Sequence, residues 1–447
     1  MKNRLSLPED FVERMTSRLK NDSSSFFSSL QTLPPVSVRL HPLKPTDHLK
    51  AAGSVPWCSY GIYLQSRPVF TLDPLFHGGT YYVQEAGSML IEPLLGSLLE
   101  ELESPVVLDL CAAPGGKSTH LLSMMNGKGL LVCNETVPSR NATLRLNLSK
   151  WGYSNTIVTQ QDAASIMNSG LKFDVIVVDA PCSGEGLFRK QPSAVQEWSL
   201  SQVAHCCQRQ TGILNDIVPA LKDGGYLLYS TCTYECEEND DQVRRLIEKW
   251  GLECVTPPPP DGIEATAFGW QAWPHRVDAE GYYCALLRKK GTLRNSVVST
   301  AKRSQDSVPL PVKSLLRLPE SYSFVNREDF IYAYPSGLSF YIDRLAGSGY
   351  LRNAGLLMGQ MKGKDFIPDT ALAMSIEFEN NWPVIQAGKE MALQYLKGET
   401  VGFESDHDGW HLVSFENHPL GWAKKTGRRW NNYFPKHLRI RMDAAVG

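Results

Sequence analysis

The chain has 447 residues and a mass of 49.8 kDa, too long for one compact core and enough for about two to four domains. Hydrophobic residues make up 42% and charged residues 21%, which excludes a mainly disordered or membrane-embedded chain. The net charge of −2 excludes a globally basic nucleic-acid coat and leaves only local basic faces to be sought.

No run approaches the roughly 18 apolar residues of a spanning helix, and the N-terminus MKNRLSLPEDFVERM is polar, so a cytoplasmic protein without a membrane partner is expected. Ten cysteines without CxxC pairs fit neither a disulfide scaffold nor a zinc ribbon. Free thiols, no metal and a monomer are the expectations.

Residues 1–97 read as an N-terminal α+β accessory region: a helix-like opening, a Ser-rich break at SSSFFSS, then a short strand in PVSVRLHPLK. YYVQEAGSMLIEPLL spaces its apolar residues as a helix would and leads into the main domain. Over 98–290 the runs VVLDL, GLLVCNE, NTIVTQQD, FDVIVVDA and GGYLLYSTC alternate with helical stretches. Such alternation predicts an α/β fold, a parallel sheet covered by helices, here closed by an antiparallel strand at YYCALLRKK. The stretch from Leu287 to Leu318 turns basic and Ser/Thr-rich, with Arg288, Lys289, Lys290, Arg294, Lys302 and Arg303. It reads as a linker, grouped with a small intermediate subdomain over 291–350. A β-rich C-terminal domain is expected over 351–447.

The strands end in Asp109, Glu135, Asp162 and Asp179, and the carboxyl ends of an open parallel sheet form its ligand crevice. The loop DLCAAPGGKSTH contains Gly116-Lys117-Ser118 but is no P-loop, because Cys111 stands where the first glycine belongs. GxGxxG is absent too. A small-residue turn into a helix start suits a carboxylate tail. S-adenosylmethionine has that tail, a ribose diol for Glu135 and an adenine amino group for Asp162. Capping of the following helices is the competing role for these acids.

Cys182 in DAPCSGEG and Cys232 in YSTCTYECEEND occupy the next two strand ends. Carbon 5 of a pyrimidine is a poor nucleophile until a thiolate adds to carbon 6, after which it accepts a methyl group. One cysteine would attack and the other assist release. Glu235, Glu237 and Glu238 follow Cys232 closely and should disfavour a thiolate, whereas a helix start there would favour it. Cys206, Cys207 and Cys236 read as structural.

DLCAAPGGKS, DAPCSGEG, YSTCT with its acidic follower and PHRVDAEGYY resemble the Nop/Sun family of RNA cytosine-5 methyltransferases over about residues 70–290. The tail PLGWAKKTGRRWNNYFPKHLR is similar to the PUA-like C-terminal domain of a bacterial small-subunit ribosomal RNA methyltransferase. The resemblance implies a Rossmann-like class I methyltransferase domain between an N-terminal RNA-binding region and a PUA-like RNA-binding domain. It implies that Cys111, Ala112, Ala113, Pro114, Gly115, Gly116 and Lys117 hold the methionine part of S-adenosylmethionine, with Glu135 on the ribose, Arg140 helping, and Asp162 on the adenine. Asp179 would sit between cofactor and cytosine, Cys232 would be the nucleophile and Cys182 would promote release. The expected substrate is RNA, 16S ribosomal RNA or a small ribosomal subunit; transfer RNA is the second candidate. A silent RNA-binding assembly factor is the alternative from another class.

From Gly421 to Arg441 there are seven Lys or Arg residues and no Asp or Glu. Trp422, Trp430, Tyr433 and Phe434 interleave with them, a pattern that pairs phosphates with cations and bases with aromatic rings. Lys424, Lys425, Arg428, Arg429, Trp430 and Lys436 are the expected RNA contacts.

Overall fold

The first helix, α1 (Glu9–Leu19), puts Phe11 and Met15 on its buried face and has acids in its first turn and Arg18 in its last, which suits the helix dipole. A second helix, α2 (Ser23–Leu30), occupies the stretch expected to be a Ser-rich break. Phe26 and Leu30 are buried there. The hydroxyls of Ser25, Ser28 and Ser29 turn back onto the carbonyls of Asp22, Ser24 and Phe26, so they are satisfied within the helix. Tertiary burial of two side chains overrides weak serine propensity. This computed structural model describes residues 6–293 and 308–442.

A small sheet follows, built from β1 (Ser37–Leu40), β2 (Ala51–Ser54) and β3 (Gly61–Leu64), then α3 (Pro74–Gly78) and β4 (Tyr81–Tyr82), in the order β2-β3-β1-β4. The helix expected from Tyr81 onward begins only at α4 (Ile91–Glu101), because Tyr81 and Tyr82 are drawn into that sheet. β1 delivers Arg39 to the underside of the main domain. Its guanidinium is fully buried, bonded to Gln84 and Thr119, and lies 4.5 Å from the Trp151 ring centroid.

Next, β5 (Val106–Asp109), α5 (Gly116–Met125), β6 (Leu130–Asn134), α6 (Pro138–Trp151), β7 (Thr156–Gln160), α7 (Ala163–Asn168), β8 (Phe173–Asp179), α8 (Pro192–Glu197), α9 (Leu200–Ile217) and β9 (Leu221–Thr231) alternate. Their strands are parallel in the order β9-β8-β5-β6-β7. Continuous apolar runs such as Val175–Val178 are buried on both faces, as a helix-covered parallel sheet requires. After α10 (Asp240–Trp250), β10 (Glu253–Cys254), β11 (Glu264–Ala265) and β12 (Trp270–Ala272), β13 (Tyr282–Arg288) runs antiparallel beside β9. This mixed sheet is the expected α/β core, parallel at its centre and closed by antiparallel strands at its edges.

The next unit contains α11 (Leu310–Lys313), β14 (Tyr322–Arg327), β15 (Phe330–Pro335), α12 (Ser339–Ser348), β16 (Tyr350–Ala354), β17 (Leu356–Lys362), β18 (Asp365–Pro368) and α13 (Thr370–Met374). Its sheet, β14-β15-β17-β18, joins strands on both sides of residue 350. β16 leaves that sheet and pairs antiparallel with β7, covering the edge of the main sheet. Arg294, Lys302 and Arg303 lie outside the described residues. The chain ends in β19 (Val384–Gln386), α14 (Lys389–Lys397), β20 (Gly409–Phe415), β21 (His418–Thr426) and β22 (Arg429–Asn432), the last sheet running β19-β20-β21-β22. Val38, Leu75 and Tyr81 share one apolar core with Tyr395, Val413 and Leu420, so the N- and C-terminal units are packed together. Among the described residues no helix is long and apolar enough to cross a membrane.

Candidate active site

β5 ends in Asp109, which is buried, and Gly115 (φ 110°) turns the chain so that α5 starts without a side-chain cap. The first amides of α5 therefore face the crevice with no partner within the helix. Ser118 Oγ donates to Asp109 Oδ2 at 2.6 Å, while Oδ1 is buried without a partner. Burial pushes the Asp109 carboxyl up to about 7. Arg140 donates to the Ala113 carbonyl at 2.9 Å and lies 3.2 Å from Glu135 Oε2. It thereby stitches the second strand end to the loop from Cys111 to Lys117. Glu135 Oε1 also accepts from Val137 N at 2.8 Å, and Asn147 holds the Pro114 carbonyl at 2.8 Å. Asp162 is exposed and caps α7, its Oδ1 accepting from Ser165 N at 2.7 Å. The competing capping role is thus realised at Asp162 for one of its two oxygens.

At the next strand end Asp179 is held from two sides, by Lys117 Nζ at 2.8 Å and by Ser230 Oγ at 2.9 Å. Lys117 also lies 5.0 Å from the Tyr282 ring centroid. Cys182 Sγ is 3.0 Å from Cys232 Sγ and accepts from Cys232 N at 3.3 Å. The hydrogen bond with Cys232, together with burial, holds the Cys182 thiol well above the usual range. Gly186 N donates to the Cys232 carbonyl at 2.9 Å. A Cβ at Gly186 would lie 2.8 Å from that carbonyl and 2.3 Å from the Gly281 carbonyl, so only glycine lets the two cysteine loops meet.

The carboxylates after Cys232 are all engaged. Glu235 and Glu237 are paired with Arg14 from α1, and Glu238 turns inward to Gln210 Nε2 at 2.7 Å, Ser183 N at 3.1 Å and Ser183 Oγ. Ser183 Oγ also donates to Glu185 at 2.9 Å. Burial pushes Glu185 and Glu238 each up to about 7. No α-helix starts at Cys232; residues 236–238 form one 3₁₀ turn before α10. Sequence reasoning missed Arg14, Ser183, Glu185 and Ser230. Glu185 lies in a motif whose chemical signal is its cysteine, and Arg14 carries no local signal.

In the tail, Lys424, Arg428 and Arg429 sit on the β21–β22 hairpin, Arg428 and Arg429 exposed, and Lys436 is exposed just after it. Lys425 reaches the Ser405 carbonyl. Trp430 is not a stacking surface: it is buried against Phe403 and His411. Trp422 and Phe434 are also buried, since alternate residues of a hairpin over a core must point inward. The accessible aromatic patch is Tyr433 against half-buried Trp410, centroids 4.4 Å apart, with Lys424 Nζ 5.2 Å from the Trp410 ring.

Away from the crevice, Cys58, Glu92 and His120 bring possible ligand atoms within 4.8 Å of one another. His120 Nε2 lies 2.7 Å from Glu92 Oε2, and Nδ1 is buried without a partner. A metal on Nε2 would force the ring proton onto that unpaired Nδ1, at a desolvation cost. The cluster reads as a buried hydrogen bond.

Three family models match in chain order. They are the N-terminal domain of 16S rRNA methyltransferase RsmF over residues 7–86, 16S rRNA methyltransferase RsmB/F over 97–288, and the methyltransferase RsmF PUA domain over 383–440. Ribosomal RNA small subunit methyltransferase F of Shewanella loihica is 31% identical over 410 residues, 86% of this chain and 83% of that protein. The chain belongs to the ribosomal RNA small subunit methyltransferase F family. Its Erwinia tasmaniensis member is 30% identical across 98% of this chain and 97% of its own. A methyltransferase homolog from Pyrococcus horikoshii has a TM-score of 0.56 at 25% identity, covering 64% of this chain and 96% of that one. NSun6 from the same organism shares the fold, with a TM-score of 0.56 at 20% identity over 64% of this chain and 100% of its own. As a family member this chain is a methyltransferase with a C-terminal PUA domain.

Proposed function

We propose that this methyltransferase forms 5-methylcytosine in small-subunit ribosomal RNA, using S-adenosylmethionine and a transient bond between Cys232 and carbon 6 of the target base. The observation that carries this reading is the pair of free thiols 3.0 Å apart at the ligand edge of the sheet, beside an Asp179 held by Lys117 and Ser230.

The crevice residues fit the cofactor: an uncapped helix start for its carboxylate, an unpaired oxygen on buried Asp109, and Glu135 and Asp162 at successive strand ends. Bound there, it supplies an electrophilic methyl group. Cys232 is the attacking sulfur in this reading, on the resemblance of its YSTCT segment to the Nop/Sun motif, and Cys182 lies 3.0 Å from it. As the sulfur adds to carbon 6, the π pair moves to carbon 5 and N3 of the ring takes a proton from solvent water. Asp179, fixed by Lys117 and Ser230, accepts the hydrogen bond from that N3–H. Carbon 5 then accepts the methyl group. Solvent water acts as the base that takes the carbon-5 proton and the N3 proton, the carbon 5–carbon 6 double bond re-forms, and the carbon–sulfur bond breaks to return the Cys232 thiolate. Cys182, whose sulfur lies 3.0 Å from that of Cys232, assists release.

Purified protein incubated with methyl-labelled S-adenosylmethionine and unmodified RNA tests this. Label should appear as 5-methylcytidine after RNA hydrolysis, with small-subunit RNA preferred to transfer RNA. Label on another base, or none in any RNA class, would overturn the reading. Bisulfite sequencing of RNA from a strain lacking the protein then locates the nucleotide.

A further inference from the structure

Cys232 directly follows β9, and the seven residues after it contain no α-helix and only one 3₁₀ turn. Beyond the backbone bond from Gly186 N to the Cys232 carbonyl, side-chain contacts hold this loop, and many come from the N-terminal helical pair. Arg14 Nε donates to Glu235 Oε2 at 2.9 Å, and its Nη2 lies 2.6 Å from the same oxygen and 2.5 Å from Glu237 Oε1. Glu235 is 1% exposed at its side chain, and among the described residues Arg14 makes both ion pairs. Arg18 donates to the Tyr234 carbonyl and lies 5.0 Å from the Trp273 ring centroid. Phe26 meets Tyr234 edge-on at 5.2 Å, and Tyr234 stacks on Trp273 at 4.8 Å.

The same helices reach the other cysteine loop. Phe11 packs edge-on against Phe188 at 5.2 Å and Trp198 at 5.6 Å, and Arg189 donates to the Ser29 carbonyl at 3.3 Å. Phe188 and Arg189 lie six and seven residues beyond Cys182. These contacts form one apolar cluster in which α1 and α2 meet both loops.

We propose that α1 and α2 clamp the two cysteine loops, and that Arg14 is a positioning residue for methyl transfer, acting through Glu235 and Glu237 on the segment that presents Cys232. The proposal rests on the reading of Cys232 as nucleophile. The N-terminal region is then part of the catalytic apparatus as well as an accessory to it. Buried Glu235, already lifted to about 7 by burial, depends on the guanidinium to remain an ion-pair partner. A loop displaced by about an ångström loses rate out of proportion to stability.

The test uses the full chain with Arg14→Gln, Arg14→Lys, the pair Glu235→Gln and Glu237→Gln, and all three Gln changes together. Arg14→Gln should lower kcat about tenfold while leaving the affinity for S-adenosylmethionine within about twofold, and Arg14→Lys should recover only part of the rate, because one ammonium cannot reproduce the guanidinium fork that spans both carboxylates. The Glu pair should cost a similar factor, and the triple variant should be no slower than the slower of the two, because residues acting through one contact are non-additive. Losses that multiply in the triple variant, or an Arg14→Gln enzyme with wild-type kcat and an unchanged rate of Cys232 alkylation by iodoacetamide, would overturn the clamp. Alkylation of Cys232, read by peptide mass, does not depend on the reaction catalysed. A changed alkylation rate with unchanged turnover would leave the clamp standing and sink the role of Cys232 instead.

Discussion

Cys182 and Cys232, fifty residues apart in the chain, bring their sulfurs to 3.0 Å with no bond between them. Two parallel strands, β8 and β9, end side by side and set this distance. A pair so placed is open to two-electron oxidation. Treatment with diamide, which takes up the two electrons and two protons, should join Cys182 to Cys232 and abolish methyl transfer, and dithiothreitol should restore it. Peptide mapping checks the link; a protein that keeps full activity after diamide, or that joins other cysteines first, contradicts the geometry.

Glu135 is tied to the loop from Cys111 to Lys117 through Arg140. Glu135→Ala should weaken S-adenosylmethionine binding by about 1–3 kcal/mol and leave RNA affinity nearly unchanged. Asp162→Ala should also lower protein stability by about 0.5–2 kcal/mol, because it removes the cap of α7. Calorimetry and thermal unfolding separate the two; unchanged cofactor affinity in Glu135→Ala would leave that residue a purely structural role.

Buried carboxyls behind Cys182 make stability depend on pH. Glu185 and Glu238 are each lifted by burial from an ordinary 4.5 to about 7. Between those values the folded chain holds more protons than the unfolded chain, so stability falls as pH rises from about 4.5 to about 7 and stays lower above. Glu185→Gln removes one such group and should gain about 1–3 kcal/mol at pH 8 relative to pH 5. Thermal unfolding at the two pH values measures it, and an unaltered pH dependence would be the contrary result.

The C-terminal hairpin exposes Arg428 and Arg429 beside Lys424, Tyr433 and Trp410. Replacing Lys424, Arg428 and Arg429 by Ala should weaken RNA binding and flatten its salt dependence, by a slope of about 0.7–0.9 for each phosphate no longer neutralised. Tyr433→Ala should weaken binding to single-stranded RNA by about 1–3 kcal/mol, whereas Trp430→Ala should act on stability. RNA affinity and salt slope equal to wild type would leave this patch a solvated surface.

The parallel core is legible because its strands are continuous apolar runs that end in polar residues, and both cysteines stand at such ends. What stays hidden depends on partners distant in sequence. The serines of α2 read as a break until Phe26 has Trp273 to pack on. β16 looks like any short strand until it meets β7. Trp430 looks available for stacking because composition does not say which side of a hairpin faces the core. The acidic run after Cys232 seems at odds with a thiolate, and its explanation, Arg14, lies 221 residues away from Glu235.

The most direct test of the central claim is denaturing gel electrophoresis of Cys232→Ala and Cys182→Ala after incubation with small-subunit RNA and methyl-labelled cofactor. Cys182→Ala should accumulate a labelled protein–RNA adduct, since addition and methyl transfer proceed and release fails. Cys232→Ala should give neither adduct nor turnover. An adduct in Cys232→Ala and none in Cys182→Ala would reverse the two roles, and methyl transfer by Cys232→Ala would contradict covalent catalysis through that residue.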